Sequence, residues 1–137
     1  MSDEGTSDAP NTDDARREAG MRTRREVLGD AWVDRAVAGT TPFTAGFQDF
    51  ITRTAWGDIW QRPGLARRDR SLMTLSITIA LRHWEEFALH VRAAKNNGLS
   101  DEEIAEVIQH SAVYAGVPAA NHAFKVAAPI LEELRDS

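Results

Sequence analysis

The chain contains no cysteine. That absence excludes disulfides, thiolate metal sites, cysteine nucleophiles and thiol redox chemistry. No apolar run approaches the about 20 residues needed to span a bilayer, so no membrane partner is expected. The first residues lack the apolar core of a secretory signal, which points to a cytoplasmic protein. A broad basic stripe is missing as well. The net charge of −5 is concentrated in residues 1–20, where Asp3, Glu4, Asp8, Asp13, Asp14 and Glu18 outnumber Arg16 and Arg17. The remainder is nearly neutral, which argues against nucleic acid as the main partner. No internal repeat is visible. A chain of 137 residues is long enough for one domain with its own core.

Residues 1–20 are polar and acidic and read as a disordered N-terminal tail. The folded domain is then expected over 21–137. Val27, Leu28, Val33, Ala36 and Val37 predict a helix across 21–38, with an irregular middle at Gly29. Thr41-Pro42 reads as the N-cap and first residue of a second helix. Its phenylalanines Phe43, Phe47 and Phe50 are expected in the core. Trp56 to Leu65 is a connection with a Pro63-Gly64 turn signal. Trp56 and Trp60 in a loop must be tucked against something, either the core edge or the wall of a pocket into which Arg62 points.

Arg67-Arg68-Asp69-Arg70 precedes Ser71–Leu81, a segment apolar on nearly all sides that reads as a central buried helix. Positive charge at a helix N-terminus is disfavoured by the dipole. Arg68 or Arg70 is therefore expected to serve an anion or a subunit contact. The helix is expected to run on through Arg82–Ala94, where His83, Glu86 and His90 share one stripe at i, i+3 and i+7 beside Phe87 and Val91. Histidine is suited to proton transfer near neutral pH. Nearby Glu86 should raise both imidazole pKa values. The plain alternative is a packed histidine beside a solvated Glu-His pair.

Asn97-Gly98 closes that helix and Ser100-Asp101-Glu102-Glu103 opens the next with a capping box. Ile104, Val107, Ile108 and Tyr114 are its expected buried stripe, with His110 outside it. A last helix carries Phe124, Ala127, Leu131 and Leu134, an internal Pro129, and Asn121 and His122 in its first turn, where packing or capping is expected ahead of a functional role. Five or six helices and no convincing strand define an all-α domain.

Trp56–Leu65 with Arg67–Leu72, His83–Ala94, Gly98–Ile104 and Val113–Asn121 together resemble, in order and spacing, the 4-carboxymuconolactone decarboxylase family. The resemblance implies an AhpD-like helical fold assembled as a homo-trimer or hexamer. Redox members of that superfamily carry a Cys-x-x-Cys pair and a following histidine. Here those positions read His83, Glu86 and His90. That departure disfavours peroxide reduction. It implies cofactor-independent loss of carbon dioxide from a small lactone carboxylate, giving 3-oxoadipate enol-lactone in the β-ketoadipate route. His83, Glu86 and His90 would then be catalytic. Arg62, Arg68, Arg70, Trp56 and Trp60 would form the substrate site, with arginine forks binding carboxylates.

Three rivals stand beside this reading. A metal site would need His83, Glu86 and His90 to reach one ion, but their spread is long and a fourth ligand is lacking, so no metal is expected. The others are a non-catalytic helical oligomer and a family enzyme acting on another lactone.

Overall fold

A computed structural model describes residues 12–137. It is all-helical among the described residues, with seven α-helices and no strand. None of these helices is long and apolar enough to cross a membrane. The chain divides between Gly64 and Leu65 into two compact units.

The first unit opens with α1 (Asp13–Leu28), which removes residues 13–20 from the expected disordered tail. The rest of that expectation, residues 1–11, lies outside the described residues. The start of α1 is local grammar. Thr12 accepts the Ala15 N–H at 3.0 Å, and Asp13 and Asp14 occupy the first turn. Its buried face is Gly20, Thr23, Arg24, Val27 and Leu28. Gly29, at φ 92°, then divides the expected helix into α1 and α2 (Asp30–Ala38). Thr41-Pro42 forms a turn instead of a helix start, because Thr41 N–H bonds the Thr44 hydroxyl. Helix α3 (Ala45–Ile51) begins three residues later and widens into a π-helical turn, Thr52–Trp56. Thr52 and Thr54 hydroxyls donate to the carbonyls of Gln48 and Phe50, a contact that bends helices.

The three phenylalanines are not core residues. Phe43 is 97 %, Phe47 63 % and Phe50 51 % exposed. The inward side of this segment is polar instead. Asp49 hydrogen-bonds both Arg17 and Arg53, Gln48 accepts from Arg24, and Thr52 is buried. Charge pairing with α1 decided the orientation. Glycine permits the close approach of the π turn to α1. A Cβ on Gly20 would lie 2.1 Å from the Thr52 carbonyl oxygen, and one on Gly57 would lie 2.5 Å from that of Arg16.

The second unit packs α4 (Arg67–Leu81), α5 (Trp84–Asn96), α6 (Asp101–Ala115) and α7 (Val117–Arg135) around Leu75, Ile79, Phe87, Val91, Ile104 and Ile108. Helix α4 is buried on one face only, through Ser71, Leu75, Thr78 and Ile79. Met73, Ile77 and Leu81 are exposed, which corrects the expectation of burial all round. The expected capping box of α6 is present in both directions between Ser100 and Glu103. The buried stripe of α6 continues from Ile108 to Ser111, so Tyr114 falls outside it and is 80 % exposed. Gly98 and Gly116 take positive φ at the α5–α6 and α6–α7 junctions, where only glycine is unstrained.

Candidate functional site at the start of helix α5

The expected continuous helix through His83 is broken. Arg82 adopts the left-handed conformation at φ 59° and ends α4. Its N–H bonds Ile79 O at 3.1 Å, and the His83 N–H bonds Thr78 O at 2.9 Å. That pair of bonds is a Schellman motif, here built on arginine where glycine is usual. His83 consequently becomes the N-cap of α5 rather than a residue within it, with its carbonyl accepting the Phe87 N–H at 2.9 Å.

The three residues of the expected triplet thus all belong to α5 and its N-cap, but they differ in burial. Arg82, His83, Trp84, Glu85 and Glu86 line an open hollow of about 470 Å³ at the α5 N-terminus. His83 and Glu86 are exposed within it. Glu85 and Glu86 occupy the first turn of α5, where the helix dipole favours negative charge. His90 does not line the hollow. It lies two turns further along, 7 % exposed, and burial pushes its imidazole down to about 4. This overturns the expectation that Glu86 raises the His90 pKa. Desolvation disfavours the imidazolium, and the carboxylate that was to oppose it stands in solvent. At neutral pH His90 is therefore uncharged.

Sequence reasoning missed three lining residues. Arg82, Trp84 and Glu85 were signalled only by their adjacency to His83 and Glu86. Trp84 is the half-buried member of the lining. Its ring meets Phe87 edge-on at 5.9 Å and His122 at 4.5 Å. His122 has the packing role expected of it.

The remaining candidates are distributed between the units. Trp56 and Trp60 belong to the first unit, buried and stacked at 5.3 Å with 28° between their planes. Gln61 donates to the Thr23 hydroxyl at 3.0 Å and ties the short 3₁₀ turn that holds Trp60 to α1. Arg62 is exposed beside Asp58, 3.4 Å away, rather than pointing inward. Arg68 hydrogen-bonds Glu103 of α6, so it has the counter-charge that its position at a helix start seemed to lack. Glu103 is held below its usual pKa first by the Ser100 backbone N–H and then by Arg68. Arg70 is half-buried on α4. Among the described residues no three His, Asp or Glu side chains converge as a metal site.

A profile of the carboxymuconolactone decarboxylase family matches residues 45–129. The chain belongs to this family. The match runs from the start of α3 into α7 and so includes His83, Glu86, His90 and every arginine and tryptophan candidate named above. Two relatives extend over nearly the whole length of this family member. A nitrosuccinic acid decarboxylase of Metarhizium robertsii is 43% identical over 133 residues, 96% of this chain and 93% of that protein. A 4-carboxymuconolactone decarboxylase of Acinetobacter baylyi is 42% identical over 122 residues, 89% of this chain and 91% of that protein. A 4-carboxymuconolactone decarboxylase of Pseudomonas putida is 54% identical over 43 residues, 31% of this chain and 90% of that protein. The first two identities are equal within a percentage point, so identity alone does not choose between their substrates.

Proposed function

We propose that the protein is a cofactor-independent decarboxylase and that its substrate is 4-carboxymuconolactone. The observation that carries this reading is the hollow at the start of α5, where an imidazole, an arginine and two carboxyl groups stand together within the region matched by the family. The leaving carboxylate of this lactone sits on the ring carbon that bears the ring oxygen. Breaking that carbon–carbon bond sends its electron pair through the ring double bond to the lactone carbonyl. Carbon dioxide leaves and a dienolate remains. Protonation next to the carbonyl gives 3-oxoadipate enol-lactone. The substrate supplies its own electron sink, so the protein must only orient it, stabilise an oxyanion and deliver one proton.

In this reading His83 delivers the proton, with the Glu86 carboxyl group beside it in the hollow. His90, buried and neutral, supports the site as an uncharged imidazole. Arg70 holds a substrate carboxylate, with Arg68 a weaker candidate because Glu103 engages it, as Asp58 engages Arg62. An anchor on the departing carboxylate must not bind the ground state as strongly as the transition state, or the step is not accelerated.

The full-length relative from M. robertsii motivates a second reading, in which nitrosuccinic acid is the substrate. The two molecules share one carbon that carries the leaving carboxylate, a carboxymethyl arm and an electron sink. The sink is an unsaturated lactone in one and a nitro group in the other, and the intermediate is a dienolate or a nitronate. Purified protein offered each compound, with carbon dioxide and product followed separately, tests both readings. Turnover of neither would remove decarboxylation of this substrate class.

A homo-oligomer, trimer or hexamer, belongs to the same proposal. Its support is the exposed apolar surface at Phe43, Phe47 and Phe50 and at Met73, Ile77 and Leu81. Sedimentation as a monomer at micromolar concentration would count against it.

A further inference from the structure

Four arginines of the first unit each hydrogen-bond a carboxylate: Arg17 to Asp49, Arg25 to Asp34, Arg53 to Asp49 and Arg62 to Asp58. Arg24, only 3 % exposed, has no carboxylate partner among the described residues. Its Nη2 donates to Gln48 Oε1 at 3.1 Å, and the Trp32 ring centroid lies 5.5 Å from its guanidinium carbon. Its Nε is buried without an acceptor. This buried cation therefore lacks a counter-charge, while adjacent Arg25 engages both Asp30 and Asp34. Burial, with repulsion from Arg25, holds Arg24 below the usual guanidinium range.

We infer that Arg24, Gln48 and Trp32 form a binding site for one carboxylate group of a small organic acid. The three residues come from α1, α3 and α2, so the site is assembled by the packing of the unit. A planar guanidinium fork matches a carboxylate. Gln48 spends its oxygen on Arg24, and its Nε2 donors engage no other described residue. Trp32, half-buried, offers an apolar face to the carbon skeleton of the acid. One cation suits a singly charged group better than phosphate, because neighbouring Arg25 is already committed to Asp30 and Asp34. This inference does not depend on the proposed reaction.

The test is calorimetric titration of the full chain with succinate, and separately with inorganic phosphate. Succinate should bind and phosphate should not. Arg24→Gln should weaken succinate binding at least about tenfold, the size expected when a charge-assisted hydrogen bond is lost. Gln48→Glu places a carboxylate beside Arg24 and should raise Tm while abolishing succinate binding. No succinate binding to the unaltered protein, or equal binding by Arg24→Gln, overturns the proposal. So does a lower Tm for Gln48→Glu, since Arg24 would then already hold an acid from a second copy or from the chain's own N-terminus. If Arg24→Gln does not fold, the Gln48→Glu pair of measurements decides alone.

Discussion

Replacing His90 by glutamine should make the fold less sensitive to acid. Burial holds the folded-state imidazole at about 4, whereas an unfolded chain gives histidine a pKa of about 6.5. Between those values the unfolded state binds a proton that the folded state refuses. Stability therefore falls as pH drops through that window. Above about pH 6.5 neither state is protonated and the penalty is absent; below about pH 4 it is complete. At about 1.4 kcal/mol per pH unit, the whole window amounts to about 3 kcal/mol. That is a large fraction of the roughly 5–15 kcal/mol that holds an ordinary domain together. The assay is urea unfolding followed by circular dichroism, from about pH 7 down to about pH 4, on the unaltered protein and His90→Gln. Carboxylates titrate in both proteins and cancel in the difference. The unaltered protein should lose about 3 kcal/mol relative to the variant across the window. Parallel stability curves would show that His90 is not held neutral by burial, and the assignment of an uncharged imidazole would fall with it.

Gly20→Ala should destabilise the first unit by about 1–3 kcal/mol, because its Cβ would meet the Thr52 carbonyl and one backbone must shift. A Tm unchanged by this substitution would deny the close approach of α1 to the π turn. Ser100→Ala should cost about 1 kcal/mol through loss of the N-cap of α6, measured by urea denaturation. If decarboxylation proceeds through His83, His83→Ala should lower turnover by about 100-fold or more with circular dichroism unchanged. Glu86→Gln should lower turnover if the carboxylate beside His83 takes part in the hollow, and unchanged turnover would take Glu86 out of the account. Arg70→Lys should lower kcat/KM if its planar fork holds a substrate carboxylate, and unchanged steady-state kinetics would release it from that role.

The sequence by itself determined the all-helical class, the capping box at Ser100 and Glu103, the glycine exits at Gly98 and Gly116, and the resemblance that the family profile bears out. These features are local or collective. A cap is decided by a few neighbouring residues, and a family pattern is spread over the chain. What lies opposite a face is neither, and there the tertiary structure decided. Gly20 looked like part of a disordered tail because composition cannot reveal that another backbone crosses there. Phe43, Phe47 and Phe50 have the spacing of a core stripe, yet Asp49, Gln48 and Thr52 turned inward because α1 presents arginines that require acceptors. Arg82 carries no signal for a left-handed helix end. Only the packing of α4 and α5 against a common core makes the turn worthwhile, and that turn moved His83 to the exposed N-cap of the helix on which His90 is buried. A shared helical stripe is a statement about one helix. Whether its members share a site depends on where the helix begins and on what covers each of them.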